Sequence, residues 1–234
     1  MVEAGPTVWA VIPAAGRGAR FGGEIPKQYL EAAGKPLIAH ALDALLAHPR
    51  VAGAMVALAG DDERWPGWTS LHGKPLMRCV GGGERAESVL AALRALPAEV
   101  EDDALVLVHD AARPNLYLDD IDRLIAAAEA ATDGAILAAP VRETLKRADA
   151  EARIAATEPR DGLWRALTPQ AFRRGALTAA LERARAAGII VTDEAMAMER
   201  MGAKPRLVEG REDNLKVTTP VDLALAEFLL ARRQ

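Results

Sequence analysis

The sequence predicts an α/β protein: a mostly parallel sheet with helices packed on it. Three observations carry that expectation. Short apolar runs of strand length alternate with longer segments whose apolar residues recur at helical spacing. Twice such a run passes into a glycine-rich turn and then a helix, at 13–27 and again at 81–83. The chain has 234 residues, enough for one such domain with a large core, and no internal repeat, low-complexity tract or linker divides it.

The first apolar run, 8–12, is short enough for a buried strand. It leads into Pro13-Ala14-Ala15-Gly16-Arg17-Gly18-Ala19-Arg20-Phe21-Gly22-Gly23-Glu24-Ile25-Pro26-Lys27. Glycines let the backbone turn sharply and bring its N–H groups close to an anion, while Arg17, Arg20 and Lys27 add positive charge. That suits a polyphosphate. It is not a Walker A loop, because no Gly-Lys-Ser or Gly-Lys-Thr occurs in the chain. Nor is it the dinucleotide fingerprint, since Phe21 stands where the third glycine belongs. Taken alone, the loop reads equally as a glycine-rich connection with solvated arginines.

A helix over 36–47 follows, with Leu37, Ile38, Ala41, Leu42, Leu45 and Leu46 on its core face. A second buried strand spans 51–59, then a surface loop spans 61–74 in which Trp65 and Trp68 serve as packing anchors. The strand 76–80 runs into Gly81-Gly82-Gly83 and a helix carrying Val89, Leu90, Leu93 and Leu96. Ligands in such sheets gather at the carboxyl ends of strands, so both glycine turns should share one edge. The strand 104–108 delivers His109-Asp110-Ala111-Ala112-Arg113-Pro114 to that edge. There Asp110 reads either as a magnesium ligand or as a turn residue bonding its own backbone.

After a helix over 118–130 and a strand over 135–139, the stretch 140–166 breaks the alternation. Residues 144–147 and 153–157 pair as a hairpin too charged for a core, which reads as an arm meeting another subunit or as a surface excursion. A helix over 172–187 follows, then a helix capped by Thr192 and ending near Met201, then a strand over 206–208. The last helix opens Thr219-Pro220-Val221-Asp222, and Leu223, Ala226, Phe228 and Leu230 close the core.

A net charge of −4 argues against a general nucleic-acid binder. The single cysteine, Cys79, excludes a disulfide framework and a cysteine-based metal cluster, and the four histidines lack ligand spacing. With no signal peptide and no bilayer-length apolar run, the expectation is a cytoplasmic protein. The strand ends gather Arg17, Arg20, Lys27, Arg85, Arg113 and Lys216 around Asp110 and Asp213, a local cation set that favours a bound polyanion. No nucleophile stands beside a base in the sequence pattern. Positioning, magnesium and cations without a protein nucleophile point to phosphoryl or nucleotidyl transfer.

Read in order, several blocks resemble the 2-C-methyl-D-erythritol 4-phosphate cytidylyltransferases. They are Pro13-Ala14-Ala15-Gly16 with Arg20 and Pro26-Lys27-Gln28-Tyr29, then Gly81-Gly82 with Arg85 and Ser88-Val89, then Val108 to Pro114. Pro140-Val141, Thr144-Leu145-Lys146, Leu163-Trp164, Ala166 to Gln170, Thr192 to Ala195, Val208-Glu209-Gly210, and Asn214 with Lys216-Val217-Thr218 continue the match over nearly the whole chain.

The resemblance implies a Rossmann-like fold, one nucleotidyltransferase domain over 1–234 with 140–166 as a protruding β-arm used for dimerisation, and a homodimer. It implies transfer of the cytidylyl group of CTP to 2-C-methyl-D-erythritol 4-phosphate with release of pyrophosphate, assisted by Mg2+. Arg20, Lys27, Arg160 and Lys216 would be catalytic. Pro13, Ala14, Ala15, Gly16, Gly18, Gly82, Arg85, Ser88, Asp110 and Ala111 would bind the nucleotide. The acceptor would meet Arg113, Thr144, Arg160, Thr168, Thr192 and Lys216, with Thr144 and Arg160 reaching across from the partner's arm, and Asp110 and Asp213 would hold the metal. Some members carry an acidic residue where this chain has Gly83, so base selection here would rest on backbone groups. The chain also ends after its closing helix, without the fused cyclase of some members. A ribitol 5-phosphate cytidylyltransferase and a non-catalytic nucleotide sensor are the competing readings.

Overall fold

The computed structural model describes residues 8–16 and 25–232. An eight-stranded sheet runs through its centre. Strand β1 (Val8–Ala14) pairs in parallel with β4 (Val51–Leu58) on one side and β7 (Leu105–Val108) on the other, and β4 pairs in parallel with β6 (Lys74–Val80). The short β5 (Ser70–Leu71) returns antiparallel at that edge. Two-residue strands β2 (Glu31–Ala32) and β3 (Lys35–Pro36) form a separate ribbon ahead of helix α1 (Leu37–Ala47).

Alternation along β1 divides the core into its two faces. Val8, Ala10 and Ile12 join one buried cluster with Leu42 and Leu45 of α1 and Ile121 and Leu124 of α3 (Leu118–Ala130). Trp9 and Val11 point the other way, into a cluster with Val89 and Leu93 of α2 (Arg85–Ala95), Leu177 and Leu181 of α4 (Arg174–Ala186), and Ala197 and Met198 of α5 (Glu194–Glu199). Parallel strands covered by helices on both faces read as continuous apolar runs, which is how β1, β4 and β7 read.

The other half of the sheet differs from the expectation. Strand β8 (Ala135–Pro140) pairs in parallel with β12 (Arg206–Glu209), but between β8 and β7 lies β11 (Trp164–Arg173), antiparallel to both. The sequence reading had no strand there and began a helix at Phe172. Pro169 hides the strand, because a proline in a run argues against a central position. Here it sits in the break of register between Ala166 and Gln170, where the ladder is already interrupted. Phe172 is accordingly fully buried in the sheet, and the helix begins two residues later.

The charged hairpin is present as β9 (Leu145–Ala148) and β10 (Ile154–Glu158), antiparallel and exposed, with Ile154 69% accessible. Two local expectations change. Asp193, not Thr192, caps α5, its carboxylate accepting from the backbone N–H of Met196. In α6 (Pro220–Ala231), Thr219 caps as expected, and Ala226 and Leu230 join a small cluster with Ala32 and Leu37. Phe228, by contrast, is 54% exposed beneath the guanidinium of Arg232, so that helix covers only part of the core.

Candidate active site

Strand ends build the site. Leaving β1, the chain presents Pro13 to Gly16, and the side-chain amide of Gln28 donates to the Ala14 carbonyl at 2.8 Å, tying the far end of the loop back to the strand. Lys27 opens the short 3₁₀ turn that carries Gln28. Leaving β6, the Gly81 N–H donates to Leu58 and extends the sheet by one residue. A Cβ at Gly81 would stand 2.7 Å from that of Ala15, and one at Gly82 would stand 2.3 Å from that of Glu87. Gly81 therefore approaches Ala15 at the end of β1, and Gly82 its own helix, more closely than a side chain allows. The Glu87 carboxylate accepts from the N–H groups of Gly83 and Glu84, and the Ser88 hydroxyl accepts from Gly82.

Between these turns lies a cavity of about 280 Å³ whose walls include Ala14, Lys27, Gly82, Ser88, Asp110 and Lys216. The expectation that both glycine turns and Asp110 share one edge of the sheet holds. Beneath the cavity, a buried network sets the end of β7. Thr168 on β11 accepts from the Asp110 N–H at 3.1 Å and lies 3.0 Å from His109 Nδ1, whose other ring nitrogen meets the Arg113 carbonyl at 3.0 Å. Arg113 donates to the carbonyl of Asn214, and Asn214 donates in turn to that of Thr168. Lys216 is thus delivered by a loop stitched to β11 and to the loop after β7.

Asp110 is the electrostatic centre. Its Oδ1 accepts from Arg85 Nε at 3.0 Å, and its Oδ2 faces Lys216 Nζ at 2.9 Å and Arg113 Nε at 3.4 Å. Burial by itself pushes this carboxyl up, but Arg85, Lys216 and Arg113 outweigh burial and hold it far below the usual carboxylate range. Burial pushes His109 down to about 4, so its imidazole is neutral near pH 7. The Arg113 guanidinium, buried and turned toward Asn214, is shifted down by desolvation. Arg85 is shifted up: burial opposes its charge, but Glu194 and Asp110 overcome that cost.

The structure separates the expected residues into groups. Pro13, Ala14, Ala15, Gly16, Lys27, Gly82, Arg85, Ser88, Asp110, Ala111 and Lys216 meet at the cavity. Arg113 and Thr168 lie below it and act through their partners. Thr144, Arg160 and Thr192 are exposed and outside it, with Arg160 donating to the Arg142 carbonyl within the arm. Arg17, Gly18 and Arg20 lie outside the described residues.

Asp213 does not join Asp110: one carboxylate oxygen accepts from the Tyr117 hydroxyl at 2.9 Å, the other is buried without a partner among the described residues, and the residue does not line the cavity. Among the described residues no three acidic, histidine or cysteine side chains form a metal-holding group. Both oxygens of Asp110 already face cations, Oδ1 toward Arg85 and Oδ2 toward Lys216 and Arg113.

Three residues that the sequence reading did not single out complete the site. Gln28 fixes the loop, Asn214 joins three segments, and Glu194 grips Arg85. Each stood inside a recognised block, but a buried amide or carboxylate looks like a surface one until its neighbours are known.

A cleft that joins glycine-turn backbone to lysines at the carboxyl ends of parallel strands defines a nucleotidyltransferase-type site, and comparison narrows the class. Residues 8–232 match the family model for 2-C-methyl-D-erythritol 4-phosphate cytidylyltransferase. The chain is 64% identical over 227 residues to the protein of that name from Xanthomonas campestris pv. campestris (strain B100), covering 97% of this chain and 86% of that one. It is 63% identical over 226 residues to that of Stenotrophomonas maltophilia (strain R551-3), covering 97% of both.

Among solved structures, the enzyme of that name from Francisella tularensis superposes with a TM-score of 0.81 at 33% identity, over 95% of this chain and 99% of that one. That from Thermus thermophilus gives 0.77 at 34% identity, over 96% and 98%. The chain belongs to the 2-C-methyl-D-erythritol 4-phosphate cytidylyltransferase family. No described helix is long and apolar enough to cross a membrane.

Proposed function

We propose that this chain transfers the cytidylyl group of CTP to 2-C-methyl-D-erythritol 4-phosphate, giving 4-diphosphocytidyl-2-C-methyl-D-erythritol and pyrophosphate. One observation supports it above the rest: Lys27 and Lys216 line one cavity between two glycine turns, in a chain that matches this family over residues 8–232. An oxygen of the acceptor phosphate attacks the α-phosphorus in line, and the bond from that phosphorus to the bridging oxygen of pyrophosphate breaks. Charge grows on the α-phosphate oxygens as this happens. Lys27, with Arg20 by family resemblance, meets that charge as a preorganised cation.

On this reading, Gly82 and Ser88 hold the cytosine against the second turn. Lys216, set by Asp110 at 2.9 Å, faces the acceptor phosphate. A divalent ion, entering with the triphosphate and held mainly by phosphate oxygens and water, would neutralise charge there. Thr144 and Arg160 stand on the exposed arm, so they serve a site only if a second copy brings them to it. We read the chain as a homodimer on that ground. One cysteine and no bilayer-length apolar run suit a cytoplasmic enzyme.

Magnesium-dependent pyrophosphate release with CTP and methylerythritol phosphate, run beside ribitol 5-phosphate and UTP, tests the assignment. Release with the first pair alone is expected. Release with ribitol phosphate instead would move the acceptor, and silence with every pair would leave a nucleotide sensor. Lys27→Ala should lower turnover by roughly 10²- to 10³-fold while CTP binding stays measurable.

A further inference from the structure

Glu194 is buried to 1% accessibility although it opens a helix only six residues long. Its two carboxylate oxygens accept from Arg85 Nη1 at 2.6 Å and Nη2 at 3.1 Å, so the forked edge of the guanidinium is taken up. Arg85 Nε is thereby turned to Asp110, which holds Lys216. Charges alternate along this line from α5 to the loop after β12. Gln170 on β11 anchors the line's far end, its amide donating to Asp193 at 2.9 Å and its carbonyl accepting from the Ala195 N–H at 2.9 Å.

A buried ion pair adds little net stability compared with apolar packing of the same volume, because desolvation cancels most of the attraction. What such a pair does supply here is direction. We infer that Glu194 is a positioning residue for the nucleotide: it keeps Arg85 clamped against Asp110 as a strut rather than free to seize a phosphate. The inference rests on the cytidylyl-transfer reading of the cavity. It also revises the role of Arg85, which acts chiefly by fixing Asp110 at the nucleotide side of the cavity.

The test is a double-mutant cycle with Glu194→Gln, Arg85→Gln and the double variant, each first confirmed folded by circular dichroism. Glu194→Gln should lower kcat/KM for CTP about 100-fold, as misplacement by about 1 Å can do, while KM for the acceptor stays within about threefold. General loosening of α5 would move the acceptor KM too, since Thr192 immediately precedes its cap. In the Arg85→Gln background, Glu194→Gln should cost nothing further. Losses that multiply would overturn the strut. If Glu194→Gln does not fold, Glu194→Asp carries the same cycle with the charge kept and the reach shortened.

Calorimetric titration of the four proteins with CTP gives a second cycle that does not depend on turnover. An inactive wild type with coupled CTP binding would overturn the transfer reaction and leave the strut standing. Independent effects on CTP binding would overturn the strut as well.

Discussion

At Gly82 an added Cβ would lie 2.3 Å from that of Glu87, on the helix whose first turn orders the glycine backbone. Neither backbone can yield without opening the turn. Gly82→Ala should therefore raise KM for CTP by about tenfold or more, on the scale of a lost positioning contact. Gly60→Ala, whose Cβ would meet Val80 alone among the described residues, at 3.6 Å, should leave it unchanged. Steady-state kinetics of the two variants separates crowding from a general intolerance of glycine replacement.

The second residue-scale expectation concerns His109. Its folded-state value of about 4 lies below the ordinary 6.5 because burial disfavours the imidazolium. Between those limits the unfolded chain binds a proton that the folded chain excludes. The contribution is complete above pH 6.5 and is lost as pH falls toward 4, by about 3 kcal/mol in all. Urea midpoints should drop across that window, and His109→Gln should flatten the slope.

At the scale of elements, α5 shows how a short helix is held in place. Asp193 accepts from Met196 at its start and from Gln170 across to β11. Asp193→Ala should cost about 1 kcal/mol of stability for the lost cap. Thr192→Val should cost far less, because among the described residues the Thr192 hydroxyl meets the Met196 sulfur alone, at 3.6 Å. Denaturant unfolding of both variants checks which residue is the cap. Reading Thr192 as the cap was reasonable from sequence, since threonine and aspartate both fill that role and only backbone geometry shows where the helix begins.

For the whole molecule, the proposed homodimer predicts a site built from two chains. Lys27→Ala and Arg160→Ala variants, each inactive alone, are the test pair. If the arm crosses, a mixed dimer contains one site with both residues intact, and an equal mixture should recover roughly a quarter of wild-type turnover. No recovery after verified subunit exchange would confine each site to its own chain.

Much of this architecture was legible without coordinates, because its signals are local. Apolar runs marked β1, β4 and β7, helical spacing marked α1 and α3, and paired glycine turns marked the edge where the cavity lies. Tertiary structure alone decided that β11, with a proline inside it, enters the middle of the sheet, because pairing partners distant in sequence determine strand order. It alone decided that Asp110 is satisfied by three cations while Asp213 turns to Tyr117, and that Glu194 is buried on Arg85. Side-chain type states which charges exist; only the packing of distant segments fixes which of them meet and which are kept from water.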